Sequence, residues 1–389
     1  MLVPEIRAAP PVLEVVSISK FVSPSTLSPD STCRLKARGR TAETGSQLPQ
    51  LGKGPHALLG DVIHRTIQLA DQRSNLLSIF KILLDAADEE LKIDRHRSHL
   101  SPIRLAIGER DWNNRMAFLE TRVGTRPPID IVELRHTRSK GKSRNPGPHE
   151  RWMESKDLGI AGSIDHLEVE SPGTTVITDW KTGAIFDSAG EIVSAYRMQL
   201  AAYKLLCQEA APNTNIKTVL NNGIPIEVDI SQGDIVQTLE IVRRLSFGLE
   251  GGSIHRASEL TEPGPECARC TLRHVCPAYR KNLEEGTVAD LATSYGSVRD
   301  LQGSVRNMAP DGDLKMATLN SPTGSALQIR GLSSRFDNIG TEGSEILAFG
   351  FIPQFRQTRR GARAAPNTFR EIVSGGAATR AWSAEAFVL

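Results

Sequence analysis

Apolar positions along the chain follow two different periods, and the places where the period changes outline its organisation. A short apolar stretch (Val12, Leu13, Val15, Val16, Ile18) runs into the turn-rich Ser23-Pro24-Ser25 and Ser28-Pro29-Asp30, where Ser and Asp beside Pro suit a helix start. Residues 39–56 are rich in Gly, Pro, Ser and Gln and read as a loop. Leu58, Leu59, Val62, Ile63, Ile67 and Leu69 then recur at helical spacing, as do apolar residues in 76–91 and 112–123. From Arg151 the period drops to two: 160–169 and 174–180 are strand-like on either side of Ser171-Pro172-Gly173, which predicts a hairpin. Helical spacing returns over 191–209 through Ile192, Val193, Tyr196, Leu200, Tyr203 and Leu206. Short strands at 218–220 and 224–230 precede a helix over 233–249, for which Ser231 is a fitting cap. Beyond a Pro- and Cys-rich knot at 263–277 the chain is Gly/Ser-rich, with apolar stretches at 326–329 and 346–352 that suit a small β domain or a partly ordered tail. There is no internal repeat.

Composition narrows the class. A chain of 389 residues suggests two or three domains, and average Gly and Pro usage excludes collagen-like and wholly disordered chains. Lys and Arg (47) nearly balance Asp and Glu (45), so global charge does not point to nucleic acid and any such case rests on local patches. Three stand out: Arg34, Lys36, Arg38 and Arg40; the basic run 135–144, which reads as a mobile loop; and Arg356, Arg359, Arg360 and Arg363, with Phe351 and Phe355 nearby. Such patches are usually solvated faces, and near a nucleic-acid groove they contact phosphates while aromatics stack on bases. No apolar stretch reaches membrane-helix length and the N-terminus lacks a leader pattern, so the expectation is a cytoplasmic, soluble protein without membrane contact. Five cysteines do not make a disulfide scaffold, and spaced thiols in a reducing compartment more often hold metal.

The sharpest chemical signal is Gly162-Ser163-Ile164-Asp165 followed by Thr178-Asp179-Trp180-Lys181-Thr182-Gly183. On adjacent strands Asp165 and Asp179 can converge on one divalent cation, and Lys181, two residues beyond Asp179, shares its strand face. Hard Mg²⁺ or Mn²⁺ suits oxygen ligands, and phosphodiester cleavage needs a metal to polarise the phosphate and acidify the attacking water. Taken alone the pattern is weak, because charged residues at strand ends are usually solvated.

In context it resembles the P-D-(D/E)-x-K nucleases, in particular the RecB-type exonuclease branch, over most of residues 20–283. Gly60-Asp61-Val62-Ile63-His64 matches that branch's G-x-x-x-H helix, which implies His64 as a third metal ligand and makes manganese plausible. Gln199-Leu200-Ala201-Ala202-Tyr203 matches its Q-x-x-x-Y helix, implying Gln199 and Tyr203 beside the catalytic Lys181. Glu154 matches a carboxylate position often seen there. Cys267, Cys270 and Cys276 form C-x2-C-x5-C, and Ser23-Pro24-Ser25-Thr26-Leu27 to Cys33 resembles the segment opening the iron–sulfur subset, so Cys33 is implied as the fourth ligand. Cysteine spacing by itself leaves zinc and an iron–sulfur cluster about even; the resemblance favours a [4Fe–4S] cluster acting as a clasp. Cys207 reads as a small buried hydrophobe outside the site.

The resemblance implies an α/β fold: a restriction-endonuclease-like core with a mixed central β-sheet flanked by helices, a Cys-ligated clasp, and a small C-terminal region. The expected division is 1–285 for the nuclease and clasp and 286–389 for a C-terminal region, guessed to be an oligonucleotide-binding β domain. The implied activity is a metal-dependent DNA nuclease, foremost a single-stranded DNA exonuclease in repair, recombination, or CRISPR-type or mobile-element DNA processing. It is similar to the CRISPR-associated adaptation exonucleases and AddB-type nuclease domains. No G-x-x-x-x-G-K-[ST] loop is present, so any helicase is a separate partner. The alternatives are an inactive DNA-binding or scaffolding subunit of a helicase–nuclease complex, against which the intact Asp165/Asp179/Lys181 set argues, and a zinc-stabilised restriction-like endonuclease.

Overall fold

The computed structural model describes residues 8–49, 51, 53, 55–69, 76–93, 102–107, 109–123, 149–264, 267, 270–285, 291–293, 296–312, 314–332, 336, 341–358, 361–370 and 385–388. The chain begins with β1 (Val15–Ile18), a 3₁₀ turn at Pro24–Thr26, α1 (Arg34–Arg38) and β2 (Gly39–Thr41). Strand β2 corrects the loop expected from residue 39, because Gly39 to Thr41 pair with β1. Then come α2 (Pro55–Leu69), α3 (Leu76–Ile93), α4 (Ile103–Ala106) and α5 (Glu109–Val123). Leu59, Ile63, Ile67, Phe80, Trp112 and Leu119 from α2, α3 and α5 share one apolar cluster, which is what the helical spacing required.

A mixed five-stranded sheet follows: β3 (His149–Ser155), β4 (Ile160–Ser171), β5 (Thr174–Trp180), then α6 (Ser194–Ala210), β6 (Asn215–Asn221) and β7 (Pro225–Glu227), in spatial order β3-β4-β5-β6-β7. The β4–β5 hairpin is antiparallel, whereas β5 and β6 are parallel and joined through α6. Parallel strands need such a crossover, and it lays α6 across the sheet. Its core combines Ile160, Ile164 and Ile177 of the sheet with Leu200, Ala201 and Leu206 of α6, and with Ile241 and Leu245 of α7 (Gln232–Ser246). Ser231 caps α7 in a full capping box with Asp234, as its position before the periodic run predicts.

β8 (Ile254–Arg256) returns to β1, giving a small β2-β1-β8 sheet, and α8 (Pro277–Glu284) closes this part of the chain. Among the described residues the C-terminal region contributes the strands β9 (Leu291–Thr293), β10 (Gly296–Asp311), β11 (Leu314–Asn320), β12 (Ala326–Leu332), β13 (Glu345–Thr358), β14 (Gly361–Arg370) and β15 (Glu385–Val388). Strand β10 pairs with both β11 and β13, β11 with β12, β12 with β14 and β14 with β13, so five strands close on themselves. Leu301, Val305, Leu319, Ile329, Phe336, Ile346 and Phe351 fill that barrel.

Candidate active site

Strand register assembles the site. His166 on β4 pairs with Thr178 on β5, so the next rung of the antiparallel ladder brings Asp165 to Asp179. The Trp180 backbone N–H donates to Asp165 Oδ2 at 2.8 Å. Beyond the end of β5, Lys181 N–H still donates to Asn221 O at 2.9 Å, which fixes the lysine's backbone against β6.

Gln199 and Tyr203, one turn apart on α6, reach the same place. The Lys181 Nζ donates to Gln199 Oε1 at 2.8 Å, while Gln199 Nε2 donates to Asp179 Oδ1 at 3.0 Å and to Tyr203 Oη at 3.1 Å. Tyr203 donates in turn to Ser163 O at 2.7 Å. One amide therefore bridges the carboxylate and the ammonium, and the tyrosine ties that amide to β4. From α2, His64 Nδ1 lies 3.9 Å from Asp165 Oδ1, with its ring edge-on to Trp180.

Two glycines of the motifs permit this packing. A Cβ on Gly162 would stand 2.7 Å from Pro24 Cδ, and one on Gly60 would stand 3.1 Å from Thr182 Oγ1. The first contact cannot be relieved by a flexible side chain, so Gly162 lets the 3₁₀ turn seat on β4.

The electrostatics centre on Asp179, whose side chain is 2% exposed. Burial pushes its pKa up to about 6, and the neighbouring Asp165 adds to the rise, while Lys181 and His64 oppose it. Lys181 Nζ is 2.7 Å from Asp179 Oδ2, an ion pair across a nearly fully buried carboxylate. The ammonium also lies 4.5 Å from the centre of the Tyr196 ring. Tyr196 is a site residue that motif reading missed; its position one turn before Gln199 is the signal that exposes it.

Two carboxylates and an imidazole gathered about a buried anion suit a hard divalent cation. Among the described residues no three His, Cys, Asp or Glu side chains already stand close enough to enclose one. In this arrangement the Lys181 ammonium supplies the positive charge beside Asp179 Oδ2.

The four cysteines expected to form the clasp, Cys33, Cys267, Cys270 and Cys276, line one pocket together with Leu35, Lys36, Arg273 and Tyr279. Burial, with the neighbouring sulfurs adding to it, pushes the Cys270 thiol up to about 11 and the Cys276 thiol up to about 12. Crowded thiols of this kind keep their protons unless a cationic centre displaces them. Cys207 lies apart in the core, near Met153 Sδ at 3.7 Å, and burial pushes its thiol to about 12.

Other candidates are reassigned. Arg38 is buried and donates through Nε to Ser19 O at 2.9 Å, Arg34 donates to Glu259 O at 3.0 Å and Arg40 to Gly39 O at 2.7 Å, so these three hold backbone carbonyls of their own chain. Phe351 is fully buried against Phe336 and offers no face to a base. Glu154 accepts from Trp152 Nε1 at 3.2 Å on the exposed edge strand β3, and it is not among the groups that act on Asp179. The run 135–144, Arg359 and Arg360 lie outside the described residues, and Arg356, Phe355 and Arg363 are described by backbone alone.

A search of curated proteins finds no match. Among solved structures, a protein from Eubacterium rectale with a provisional exonuclease designation aligns over 68% of this chain and 88% of its own, at 12% identity and a TM-score of 0.27. Residues 22–277, which span the helical layer, the mixed sheet and the cysteine knot, match the profile of the PD-(D/E)XK nuclease superfamily, whose members typically use Mg²⁺ or Mn²⁺. On that match the chain belongs to the PD-(D/E)XK nuclease superfamily.

Proposed function

We propose that this chain is a divalent-cation-dependent deoxyribonuclease of the RecB-type branch, acting as an exonuclease on single-stranded DNA with free ends. The observation that carries the reading is the Asp179–Lys181–Gln199 cluster: a buried carboxylate with a raised pKa, held beside an ammonium by a bridging amide. Buried carboxylates with perturbed pKa values beside a specific charge partner cluster at functional sites, and Asp179 is one.

In this reading Asp165, Asp179 and His64 would hold the cation, which would supply polarisation of the scissile phosphate and acidification of the attacking water. The chain's own residues do the rest. Asp165 and Asp179 would offer it their carboxylate oxygens, Asp179 in place of its present pairing with Lys181. Lys181 then directs its charge at the phosphate oxygens, where preorganised charge counts most in a water-poor site. Gln199 keeps the lysine and the carboxylate at fixed separation, Tyr203 anchors Gln199 to β4, and Tyr196 limits where the ammonium swings. Cys33, Cys267, Cys270 and Cys276 are proposed to hold a [4Fe–4S] cluster, with zinc as the competing occupant; either supplies the positive centre that turns these thiols into thiolates.

The test is anaerobic purification followed by assay on 5′- and 3′-end-labelled single-stranded DNA with Mn²⁺, comparing the parent with Lys181→Ala. Stepwise shortening in the parent and none in the variant is expected. No cleavage by either protein would overturn the catalytic reading in favour of a DNA-binding or scaffolding subunit. A brown protein with broad absorbance near roughly 400 nm marks the cluster, and a colourless, zinc-loaded one overturns it.

A further inference from the structure

We propose that the C-terminal barrel positions the thiols of the cysteine pocket, so that retention of a thiophilic cation there requires the barrel to be docked through Asp300, and the cation in turn tightens that docking. The proposal rests on the reading that Cys33, Cys267, Cys270 and Cys276 hold a metal centre, and adds what sets their geometry.

Cys270 and Cys276 are joined by a five-residue loop, and two residues inside it, Arg273 and His274, are buried and reach the barrel. The Arg273 guanidinium bridges the two bodies: Nε donates to Asp300 Oδ2 on β10 at 2.7 Å, and Nη1 donates to the Cys270 carbonyl at 2.8 Å. The His274 ring meets Phe349 of β13 edge-on, with ring centroids 6.4 Å apart. On the far side of the loop Tyr279, three residues beyond Cys276, donates to the same Asp300 Oδ2 at 2.7 Å. One barrel carboxylate therefore holds the segment that carries these two thiols from both sides of Cys276.

The strands around Asp300 are shaped for that grip. Arg299 pairs with Phe351 and Leu301 with Ala348, so Phe349 and Gly350 together stand opposite Asp300, which is a β-bulge. Gly350 has a φ of +77°, a conformation open to glycine, and its N–H donates to Asp300 Oδ1 at 2.8 Å. Bulges re-aim side chains, and this one falls where the barrel meets the cysteine loop. Leu347 and Phe349 complete the contact: with Tyr279 and Leu283 of α8 they form an apolar cluster against which Cys267 and Cys276 pack.

The Asp300 side chain is fully buried and that of Arg273 nearly so. A buried ion pair is a poor source of net stability, because apolar side chains of similar volume serve as well or better, yet any docking that separates its members leaves a charge buried without its partner. In this proposal the pair fixes one register of barrel against cysteine loop. Groups outside a ligand set that orient the ligands govern metal affinity, and Arg273 and Tyr279 line the cysteine pocket while being themselves oriented from the barrel. By linkage, the factor that docking adds to cation affinity is the factor that the cation adds to docking.

The experiment titrates Co²⁺ into the full chain, reduced, anaerobic and stripped of metal by chelator, and follows the thiolate-to-cobalt charge-transfer band, which cobalt bound to Asp165, Asp179 and His64 does not give. Tyr279→Phe keeps the ring and removes one donor to Asp300, and should weaken the cobalt affinity about fivefold. Asp300→Asn keeps the shape and removes the charge, and should weaken it about 10–100-fold. Ser231→Ala, which loosens α7 away from the pocket, should leave the affinity unchanged. Hydrogen exchange supplies the reciprocal readout: loading the parent with Co²⁺ should slow exchange over residues 345–351, where the Gly350 N–H is held by Asp300. A normal band with the same affinity in the parent, Tyr279→Phe and Asp300→Asn overturns the proposal and leaves the metal reading standing. Exchange over 345–351 that ignores the cation also overturns it, as does a loss of affinity in Ser231→Ala equal to that in Tyr279→Phe. Absence of the band in the parent marks failure of the metal reading itself, and the proposal falls with it.

Discussion

Two buried aspartates in this chain, Asp179 and Asp300, sit in similar company and are satisfied to different degrees. Each has a basic residue and a tyrosine close by, and each lies within a packed junction of secondary structure. Asp300 is closed: Arg273 and Tyr279 donate to one oxygen and the Gly350 backbone donates to the other. Asp179 is held differently: Gln199 donates to Oδ1 and the Lys181 ammonium pairs with Oδ2 at 2.7 Å, while burial holds its pKa up to about 6. A buried carboxylate whose acceptors are filled is a joint, here between α8, the cysteine knot and the barrel. One paired with a lysine ammonium on a long, flexible stem can exchange that partner for another cation, which is the property a metal-dependent nuclease needs.

This contrast breaks most readily at the joint. Asp300→Ala leaves the Arg273 guanidinium buried without its partner and should cost about 3–5 kcal/mol, read by urea denaturation. If the loss is below about 1 kcal/mol, Asp300 is not a structural joint. Lys181→Ala should act mainly on rate: kcat falls about 10²–10³-fold, equivalent to about 3–4 kcal/mol of transition-state stabilisation, while the urea midpoint falls less than in Asp300→Ala because the unpaired Asp179 can take up a proton.

The pH dependence sharpens the difference. Because the folded state raises Asp179 from 3.8 to about 6, it binds that proton more tightly than the unfolded chain does. The associated stability is fully present below pH about 4 and is lost as pH rises through 6, on the order of 3 kcal/mol in metal-free protein. Asp179→Asn should flatten this slope, and Mn²⁺ should restore stability at pH 7 in the parent but not in that variant. A parent whose metal-free stability rises between pH 4 and 6 would contradict a strained Asp179. The smallest effect belongs to a residue outside both clusters: Ser231→Ala removes the α7 cap at a cost of about 1 kcal/mol and leaves nuclease activity unchanged.

Much of the nuclease region could be read from periodicity because its elements are regular. The β4–β5 hairpin, α2, α6 and α7 all follow apolar spacing that matches their packing, and the spacing of Gln199 and Tyr203 put both on one helical face. Elements that depend on partners were harder to see. The four-residue α4 starts where Asp88 of α3 accepts from Ile103 N, a contact that no local pattern announces. The barrel strands were obscured by register shifts in β10, β11 and β13, which interrupt strict alternation. The run Arg34 to Arg40 looked like a phosphate-facing surface, yet Arg38 is buried because the Ser19 carbonyl lies within reach of it after folding.

The sequence by itself determined which chemical groups the chain carries and which segments curl or extend, since those follow from residue type and local period. It named Asp165, Asp179, Lys181, Gln199 and Tyr203 as candidates and anticipated a mixed sheet flanked by helices. Only the tertiary structure decided which of two buried aspartates is locked by an arginine, a tyrosine and the backbone and which faces a lysine, that Arg38 is buried on a carbonyl, and that five C-terminal strands close into a barrel. These depend on desolvation and on partners distant in the chain, and a carboxylate's pKa or a guanidinium's availability is a property of what surrounds it rather than of its neighbours in sequence.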